Sequence, residues 1–378
     1  MSALYFTGRK INGDLMAIDR CITSEDRRLT SENRAITSEQ IKNSASKLRQ
    51  ARPAYEELID FYEEFFLAQE ESRQRLDIDP IEIELDKLKL KSDNGMPLID
   101  SSHFKIDMEQ AEILLKKICT LALNKTQKLS SAAKKILQGL SENRFKSEDI
   151  FNSLLKDGRT ILKETSKIID VSEEELIFFA FWAIAPAIRS GAQQLEFYLS
   201  KDKSGVKRPD VEMNTSDLES VDMENSDLES SVQRKNVEGE DTLAGIGLNV
   251  AGIDLHSDWK KGYCPICGNL PQMAFLNQDG AKYLICGFCQ HQWKTSRMGC
   301  ALCQNKEKEK QHYFYNEEER EYRVDLCDSC GKYIKLIDLR ELTRDFYPQL
   351  ELLCTLHLDI QATEQGYASV LQTISKPT

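Results

Sequence analysis

The stretch Cys264–Cys330 contains four Cys-x-x-Cys turns, which are Cys264-Pro-Ile-Cys267, Cys286-Gly-Phe-Cys289, Cys300-Ala-Leu-Cys303 and Cys327-Asp-Ser-Cys330. These turns take up eight of the eleven cysteines in the chain. Two residues between the thiolates let one tight turn direct both sulfurs at a single ion, and two such turns complete a tetrahedral shell. The eight cysteines therefore predict two metal sites. A disulfide framework and scattered core cysteines are the alternatives, and four such turns in succession disfavour both.

The segments around the turns have the alternation of short strands. The predicted strands are Met273–Leu276, Lys282–Ile285, His312–Tyr315 and Tyr322–Leu326. Hairpins between Cys-x-x-Cys turns are typical of rubredoxin-like knuckles and zinc ribbons. Gly268 and Gly331 follow two of the turns, where a residue without Cβ lets backbone N–H groups point at the sulfurs.

The order of the turns favours sequential pairing, with the first two turns on one ion and the last two on the other. This pairing closes the shorter loops, which costs less entropy. A crossed arrangement stays open, and a structure with Cys267 and Cys303 on one ion would contradict our choice. His256, His291 and His312 could each replace a ligand, but with eight thiolates available we interpret them as bystanders.

Residues before 200 have helical periodicity, and the aromatic stripe of Tyr55, Tyr62 and Phe66 predicts a core face. The predicted helices are Ser38–Gln50, Pro53–Asp77, Asp107–Leu123, Ser130–Leu140, Ser147–Leu155 and a last one that begins at Ser172 and runs through Ile188 toward Tyr198. Ser172 and Glu175 have the spacing of a capping box.

The rest of the chain divides into segments of different character. A seven-residue repeat (ITSEDRR, LTSENRA, ITSEQIK) marks the start, and a tandem duplication (VEMNTSDLES, VDMENSDLES) marks an acidic stretch too polar to order itself. After the last turn we predict helices over Leu339–Phe346 and Pro348–Tyr367. The predicted divisions are a variable tail over 1–50, an all-α domain over 51–200, an acidic disordered linker over 201–250, two metal-binding rubredoxin-like subdomains over 251–345 and a C-terminal helix over 346–378.

These patterns predict an α+β fold, in which an N-terminal all-α helical domain is followed by a C-terminal tandem rubredoxin-like or zinc-ribbon β module with a terminal helix. The net charge is −12, and residues 261–345 hold thirteen Lys and Arg against twelve Asp and Glu, which disfavours nucleic acid as a partner. The most apolar stretch, Leu176–Ile188, is too short to span a membrane, so we expect no membrane insertion. Paired thiols without an export signal predict a cytoplasmic protein.

Four thiolates around each ion leave no open position for a substrate, and neither a nucleophile–base pair nor a phosphate loop is evident, so we predict no enzyme. Three classes of function remain: a protein-binding assembly factor, a rubredoxin-like electron-transfer protein, and, less favoured, a zinc-ribbon nucleic-acid binder. The colour of the purified protein distinguishes the first two classes. An iron protein is red, whereas a colourless zinc protein would exclude electron transfer.

The residues between the cysteines carry a family resemblance. It rests on Lys282-Tyr-Leu-Ile-Cys-Gly-Phe-Cys289, Trp293, Arg297-Met-Gly-Cys-Ala-Leu-Cys303, Cys327-Asp-Ser-Cys-Gly-Lys-Tyr-Ile-Lys335 and Cys264-Pro-Ile-Cys-Gly268, with weaker similarity at Arg52-Pro-Ala-Tyr55, Met96-Pro-Leu98 and Leu358–Tyr367. These motifs resemble the formate dehydrogenase accessory protein family (FdhE). The repeat-containing start and the long acidic linker depart from that family's pattern.

The resemblance implies a cytoplasmic, non-enzymatic factor for the maturation of respiratory formate dehydrogenase. Such a factor would bind the catalytic subunit of that enzyme before export, near the junction of its own two domains. The resemblance also implies two metal ions held by the eight cysteines, with iron favoured over zinc, and it implies no catalytic residue.

Overall fold

The computed structural model describes residues 24–79, 81, 83, 85–125, 127–156, 158–200 and 259–370. The linker that we predicted over 201–250 and His256 lie outside the described residues.

Helices make up the described part of the chain before residue 200. They are α1 (Ser24–Ala51), α2 (Glu56–Arg75), α3 (Leu85–Asp93), α4 (Met108–Ala122), α5 (Gln127–Ser141), α6 (Ser147–Leu155), α7 (Arg159–Ile169) and α8 (Glu173–Ser200). Helix α8 packs against α2, α4, α5, α6 and α7, so it lies at the centre of the bundle. The sequence pattern did not predict α3 and α7.

The first helix includes the helix that we predicted over Ser38–Gln50 and begins earlier, at Ser24. The described part of the tail that we predicted over 1–50 is helical from Ser24 onward. Ile41, Ala45 and Leu48 recur at three- and four-residue spacing and are fully buried where α1 packs on α2. The helical part of the protein therefore begins before residue 51.

Helix α8 begins at the predicted capping box. The backbone N–H of Glu175 donates to Ser172 Oγ at 3.2 Å, and the backbone N–H of Ser172 donates to the Glu175 carboxylate at 3.0 Å. The stretch Glu173–Glu196 is long and apolar enough to cross a membrane by length and composition alone, but 56% of its most apolar window is buried inside the protein. Burial among five neighbouring helices accounts for this apolar content.

The C-terminal part forms one mixed sheet of seven strands. The strands are β1 (Pro271–Leu276), β2 (Lys282–Cys286), β3 (Gln292–Thr295), β4 (Gln311–Phe314), β5 (Tyr322–Cys327), β6 (Lys332–Asp338) and β7 (Ala368–Ser369). Their order is β3-β2-β1-β6-β5-β4, and β7 pairs with β6. Two antiparallel three-stranded ribbons, β1–β3 and β4–β6, are thus joined by the parallel pairing of β1 with β6.

Both faces of the sheet are covered, which explains the continuous burial of its central strands. Ala274 and Leu276 of β1 belong to a core shared with the helices, whereas Met273 and Phe275 belong to a second, smaller cluster that includes Leu358. The α+β fold, with N-terminal helices and a C-terminal module that carries four Cys-x-x-Cys turns, is as predicted.

The chain after β6 differs from our prediction. Residues 339–346 form turns and coil instead of a helix. Leu339 N–H donates to Leu276 O of β1 at 3.0 Å. Leu339 O, which a helix would pair with Thr343 N–H, instead accepts from the Gln278 side-chain amide at 3.0 Å.

The predicted terminal helix Pro348–Tyr367 is split in two, α9 (Pro348–Leu353) and α10 (Leu356–Glu364). The buried ammonium group of Lys335 lies at the break. It donates to Leu352 O at 3.0 Å and to the Asp359 carboxylate at 2.6 Å. Leu352 O accepts a charge-assisted hydrogen bond from this ammonium group, which is stronger than the N–H bond that a continuous helix would give it.

Candidate metal centres

The eight cysteines form two groups, and each group has four Sγ atoms within 4.8 Å of one another. The first group is Cys264, Cys267, Cys286 and Cys289, and the second group is Cys300, Cys303, Cys327 and Cys330. The turns are therefore grouped sequentially, as predicted, and Cys267 and Cys303 lie in different groups.

The sulfur spacing fits a tetrahedral metal site. In the first group, Cys264 Sγ lies 3.6 Å from Cys289 Sγ, and Cys267 Sγ lies 3.5 Å from Cys286 Sγ. In the second group the corresponding distances are 3.9 Å for Cys300 and Cys330 and 3.7 Å for Cys303 and Cys327. A tetrahedron of about 2.3 Å metal–sulfur bonds has edges of about 3.8 Å. Each group can therefore hold one metal ion.

The four turns share one backbone geometry. The residue that directly follows each turn has a positive φ, with values of 75° for Gly268, 63° for Gln290, 63° for Gln304 and 64° for Gly331. We predicted the two glycines from the sequence, but not the two glutamines. A left-handed residue reverses the chain so that the N–H groups of the turn face its sulfurs.

Hydrogen bonds from nitrogen to sulfur are present in both groups. The N–H groups of Phe288 and Cys289 each donate to Cys286 Sγ at 3.4 Å, and that of Leu302 donates to Cys300 Sγ at 3.4 Å. Such donors stabilise negative charge on sulfur, as a thiolate ligand requires.

Side-chain amides supply further donors to sulfur. Asn269 Nδ2 lies 3.6 Å from Cys267 Sγ, and Gln311 Nε2 lies 3.5 Å from Cys327 Sγ. Although burial raises its pKa, hydrogen bonds from backbone N–H groups and from Gln311 bring the pKa of Cys327 down to about 7. This sulfur is thus prepared to be a thiolate near neutral pH.

The two groups differ in burial. All four cysteines of the first group are buried, whereas Cys303 of the second group is exposed and Cys300 and Cys330 are half-buried. Loss of hydration on burial, together with the neighbouring sulfurs of the group, raises the pKa of Cys264 and Cys289 well above the usual thiol value. Burial also raises the pKa of Cys300, to about 11.

Neither His291 nor His312 belongs to a sulfur group. His291 Nδ1 lies 3.1 Å from the Glu196 carboxylate, and the ring stacks on Trp293. His312 Nε2 lies 3.0 Å from the Asp328 carboxylate. Both rings thus lie outside the two sulfur groups, and their role as bystanders stays a prediction.

The helical half covers the first turn through a segment that only the weak similarity at Met96-Pro-Leu98 indicated. Leu98 N–H donates to Pro265 O at 2.9 Å, and Ile99 N–H donates to Ile266 O at 2.9 Å. These bonds pair the loop before α4 with the backbone of the first turn. The first sulfur group is thus held by both halves of the protein.

An aromatic cluster covers the second turn in the same way. Phe288 lies between Cys286 and Cys289 in the sequence. The centroid of its ring is 5.7 Å from that of Phe104 and 5.8 Å from that of Phe181. Phe104 is buried and the other two rings are partly buried, so this cluster helps to shield the first group from water.

A closed shell of four sulfurs limits the chemistry of either site. Such a shell leaves no position for a substrate or a water molecule, so a bound ion would stabilise the fold or, if it were iron, exchange an electron.

Comparisons with known proteins agree with the predicted family resemblance. The family model described as FdhE, central domain, matches residues 263–297. A protein named FdhE homolog from Aquifex aeolicus (strain VF5) is 36% identical over 119 residues, which are 30% of this chain and 42% of that protein. Protein FdhE of Escherichia coli O1:K1 / APEC is 30% identical over 117 residues, which are 29% of this chain and 36% of that protein. The matched segment spans less than half of the length of either relative.

The fold has a counterpart among solved structures. The crystal structure of the FdhE protein from Pseudomonas aeruginosa matches with a TM-score of 0.52 and 16% identity, and the match covers 88% of this chain and 93% of that chain. This likeness concerns the fold alone. Together with the sequence matches, it confirms that the chain resembles the FdhE family.

Proposed function

We propose that this chain is a cytoplasmic accessory protein of respiratory formate dehydrogenase, which binds the catalytic subunit of that enzyme during maturation and before export. The proposal extends to this chain the role implied by its resemblance to the FdhE family. It assigns the protein no catalytic reaction of its own.

The observation that carries the proposal is the pair of four-sulfur groups within an FdhE-like fold. We infer that each group binds one metal ion through its four cysteines, and we favour iron over zinc on the basis of the family resemblance. The sulfur spacing and the N–H donors to sulfur support metal binding of this kind.

The geometry favours docking over catalysis. The first sulfur group lies at the junction of the helices and the sheet, where it connects the two halves and shapes the surface between them. A structural ion in such a position contributes to folding, so a partner that binds across the junction would depend on the metal.

A cellular complementation experiment tests the metal-dependent role. In cells that lack this protein, a Cys327→Ser variant should lose one metal ion and restore much less formate dehydrogenase activity than the natural chain. A Cys119→Ala variant, altered at a buried cysteine outside both groups, is the matched control and should restore full activity. Full activity from a metal-depleted Cys327→Ser protein would contradict the proposal.

A binding experiment tests the partner. The purified chain should capture the catalytic subunit of formate dehydrogenase from the same organism, and failure to recover any subunit of that enzyme would exclude the accessory role.

Electron transfer is the second candidate function, and the exposure of Cys303 favours it. A ligand sulfur at the surface would give a redox partner close access to the second ion. A red, aerobically purified protein that bleaches on reduction would support this function, and a colourless zinc protein would exclude it.

A further inference from the structure

A cleft of about 410 Å³ lies where the helices meet the first ribbon. Its walls come from the C-terminal turns of α8, from residues 289–292 and from the segment 346–349 at the start of α9. Cys289 of the first sulfur group lines it. Its volume is within the range of about 300–1,000 Å³ that is usual for ligand pockets, and such pockets occur preferentially between domains.

Amide groups dominate the polar lining of this cleft. Five of its fifteen lining residues are glutamines, namely Gln40, Gln193, Gln290, Gln292 and Gln349. The charged groups have partners of opposite sign: Arg189 Nη1 donates to Glu70 at 2.9 Å, and His291 Nδ1 lies 3.1 Å from the Glu196 carboxylate. A lining of this kind suits an uncharged ligand with both donors and acceptors, as in a polypeptide backbone.

Gln349 provides a separate sign of a ligand. It is 8% exposed and lines the cleft, and its Nε2 donates to Gln290 Oε1 at 2.9 Å. Gln272 Nε2 donates to the same oxygen at 2.9 Å, which fixes Gln290 between two donors. In the part of the chain that the structure describes, Gln349 Oε1 has no hydrogen-bond partner. A buried acceptor of this kind requires a donor to offset its lost hydration.

We propose that this cleft binds a short, uncharged stretch of polypeptide from the catalytic subunit of formate dehydrogenase. Gln349 Oε1 is itself shielded from solvent, so the Gln349 side chain turns toward the cleft when the stretch binds. A backbone N–H of the stretch then donates to this oxygen, and the carbonyl groups of the stretch accept from the glutamine amides. The bound stretch lies against the wall of the cleft to which Cys289 of the first sulfur group contributes. The proposal rests on the accessory function above, which supplies the partner.

Site-specific photocrosslinking tests the location. A benzophenone side chain is placed at Gln292, which is exposed and lines the cleft, or at Lys294, which is two residues further along β3, equally exposed and outside the lining. With the full chain and the purified catalytic subunit, we expect a crosslink from position 292 to one short segment of the subunit and at most a trace from position 294.

Affinity measurements test the hydrogen bond. The Gln349→Leu variant should raise the Kd for the catalytic subunit by about tenfold, the effect of one lost hydrogen bond. The Gln272→Leu variant is the matched control, because it removes the other donor to Gln290 without touching the cleft. It should change the Kd less than about twofold, and thermal melting of both variants checks that they fold.

The outcomes separate this proposal from the proposed function. If the subunit binds but crosslinks equally from positions 292 and 294, or if folded Gln349→Leu binds it as tightly as the natural chain, the cleft is not the docking site and the accessory function stands. A crosslink from position 292 only to residues 201–258 of this chain also overturns the proposal. If the natural chain does not bind the subunit, the accessory function and the cleft proposal both fail.

Discussion

Each ribbon of the sheet has the same order of turn, strand, strand, turn and strand, yet the first buries all four of its cysteines and the second leaves Cys303 exposed. The difference arises outside the ribbons. The loop at Leu98 and Ile99 and the side chains of Phe104 and Phe181 cover the first ribbon, whereas the second sulfur group has no such cover from the helices among the described residues.

This contrast shows that one sequence motif serves two structural roles. The first sulfur group belongs to the large core that the helices and the sheet share. Loss of its metal would therefore disturb both halves of the protein. The second group joins two turns near the surface. Loss of its metal would therefore increase the local motion of the turn at Cys300–Cys303 and leave the main core in place.

The largest expected effect comes from removing one ligand of each group. Cys264→Ser should remove one ion and lower the free energy of unfolding by about 4 kcal/mol or more, because the three remaining thiolates in the core lose the cation that neutralises them. Cys303→Ser should remove the other ion at a cost of about 1–2 kcal/mol, because water reaches its surroundings. Metal analysis and denaturant titration measure both effects.

The control for this pair is Cys119→Ala, which alters a buried cysteine of α4 and should keep both ions. Equal destabilisation by Cys264→Ser and Cys303→Ser would show that the two sites are equivalent, against the difference in burial.

Metal release should also separate the sites. With a thiol-reactive or chelating reagent, we expect two phases, and the fast phase should be at least about tenfold faster, because Cys303 is open to attack. The Cys303→Ser variant should lack the fast phase and retain the slow one. A single phase in the natural chain would mean that both groups open together.

Gly268 and Gly331, the glycines that follow two of the turns, allow the cost of adding one methyl group to be compared in the two ribbons. A Cβ at Gly268 would lie 2.8 Å from Pro97 Cγ, whereas a Cβ at Gly331 would have no heavy atom within 4 Å, and both residues have positive φ. Gly331→Ala should cost about 1 kcal/mol for backbone strain alone, and Gly268→Ala about 3 kcal/mol, because it also forces the helical half away. Denaturant titration measures both values, and equal costs would mean that Pro97 yields freely.

The sequence predicted the sulfur groups well because their signal is local. Two residues between cysteines define a turn, and sequential pairing follows from loop length, so neither depends on the distant fold. Four strands were predicted within about two residues for the same reason, since alternation is read along one segment.

Features set by distant contacts were missed. Strand β6 contains Lys335, which breaks the apolar pattern of a buried strand. This lysine can be buried, at 6% exposure, because Asp359 of α10 pairs with it. The same lysine interrupts the terminal helix that periodicity predicted. The pairing of Leu98 with the first turn joins residues more than 160 positions apart, and no local pattern indicates such a contact.

The smallest expected effects distinguish the two glutamines that follow turns with the same φ of 63°. Gln304→Gly should stabilise the protein by about 0.3 kcal/mol, because relief of the left-handed backbone outweighs the loss of one exposed hydrogen bond from Gln304 Nε2 to Lys260 O. Gln290→Gly gains the same relief but removes the acceptor of Gln272 and Gln349, so it should destabilise by about 1 kcal/mol. Denaturant titration of the two variants should thus give opposite signs. Equal stabilisation by both variants would mean that the amide cluster beside the first sulfur group contributes nothing to stability, and that Gln290 is held in place by the turn alone.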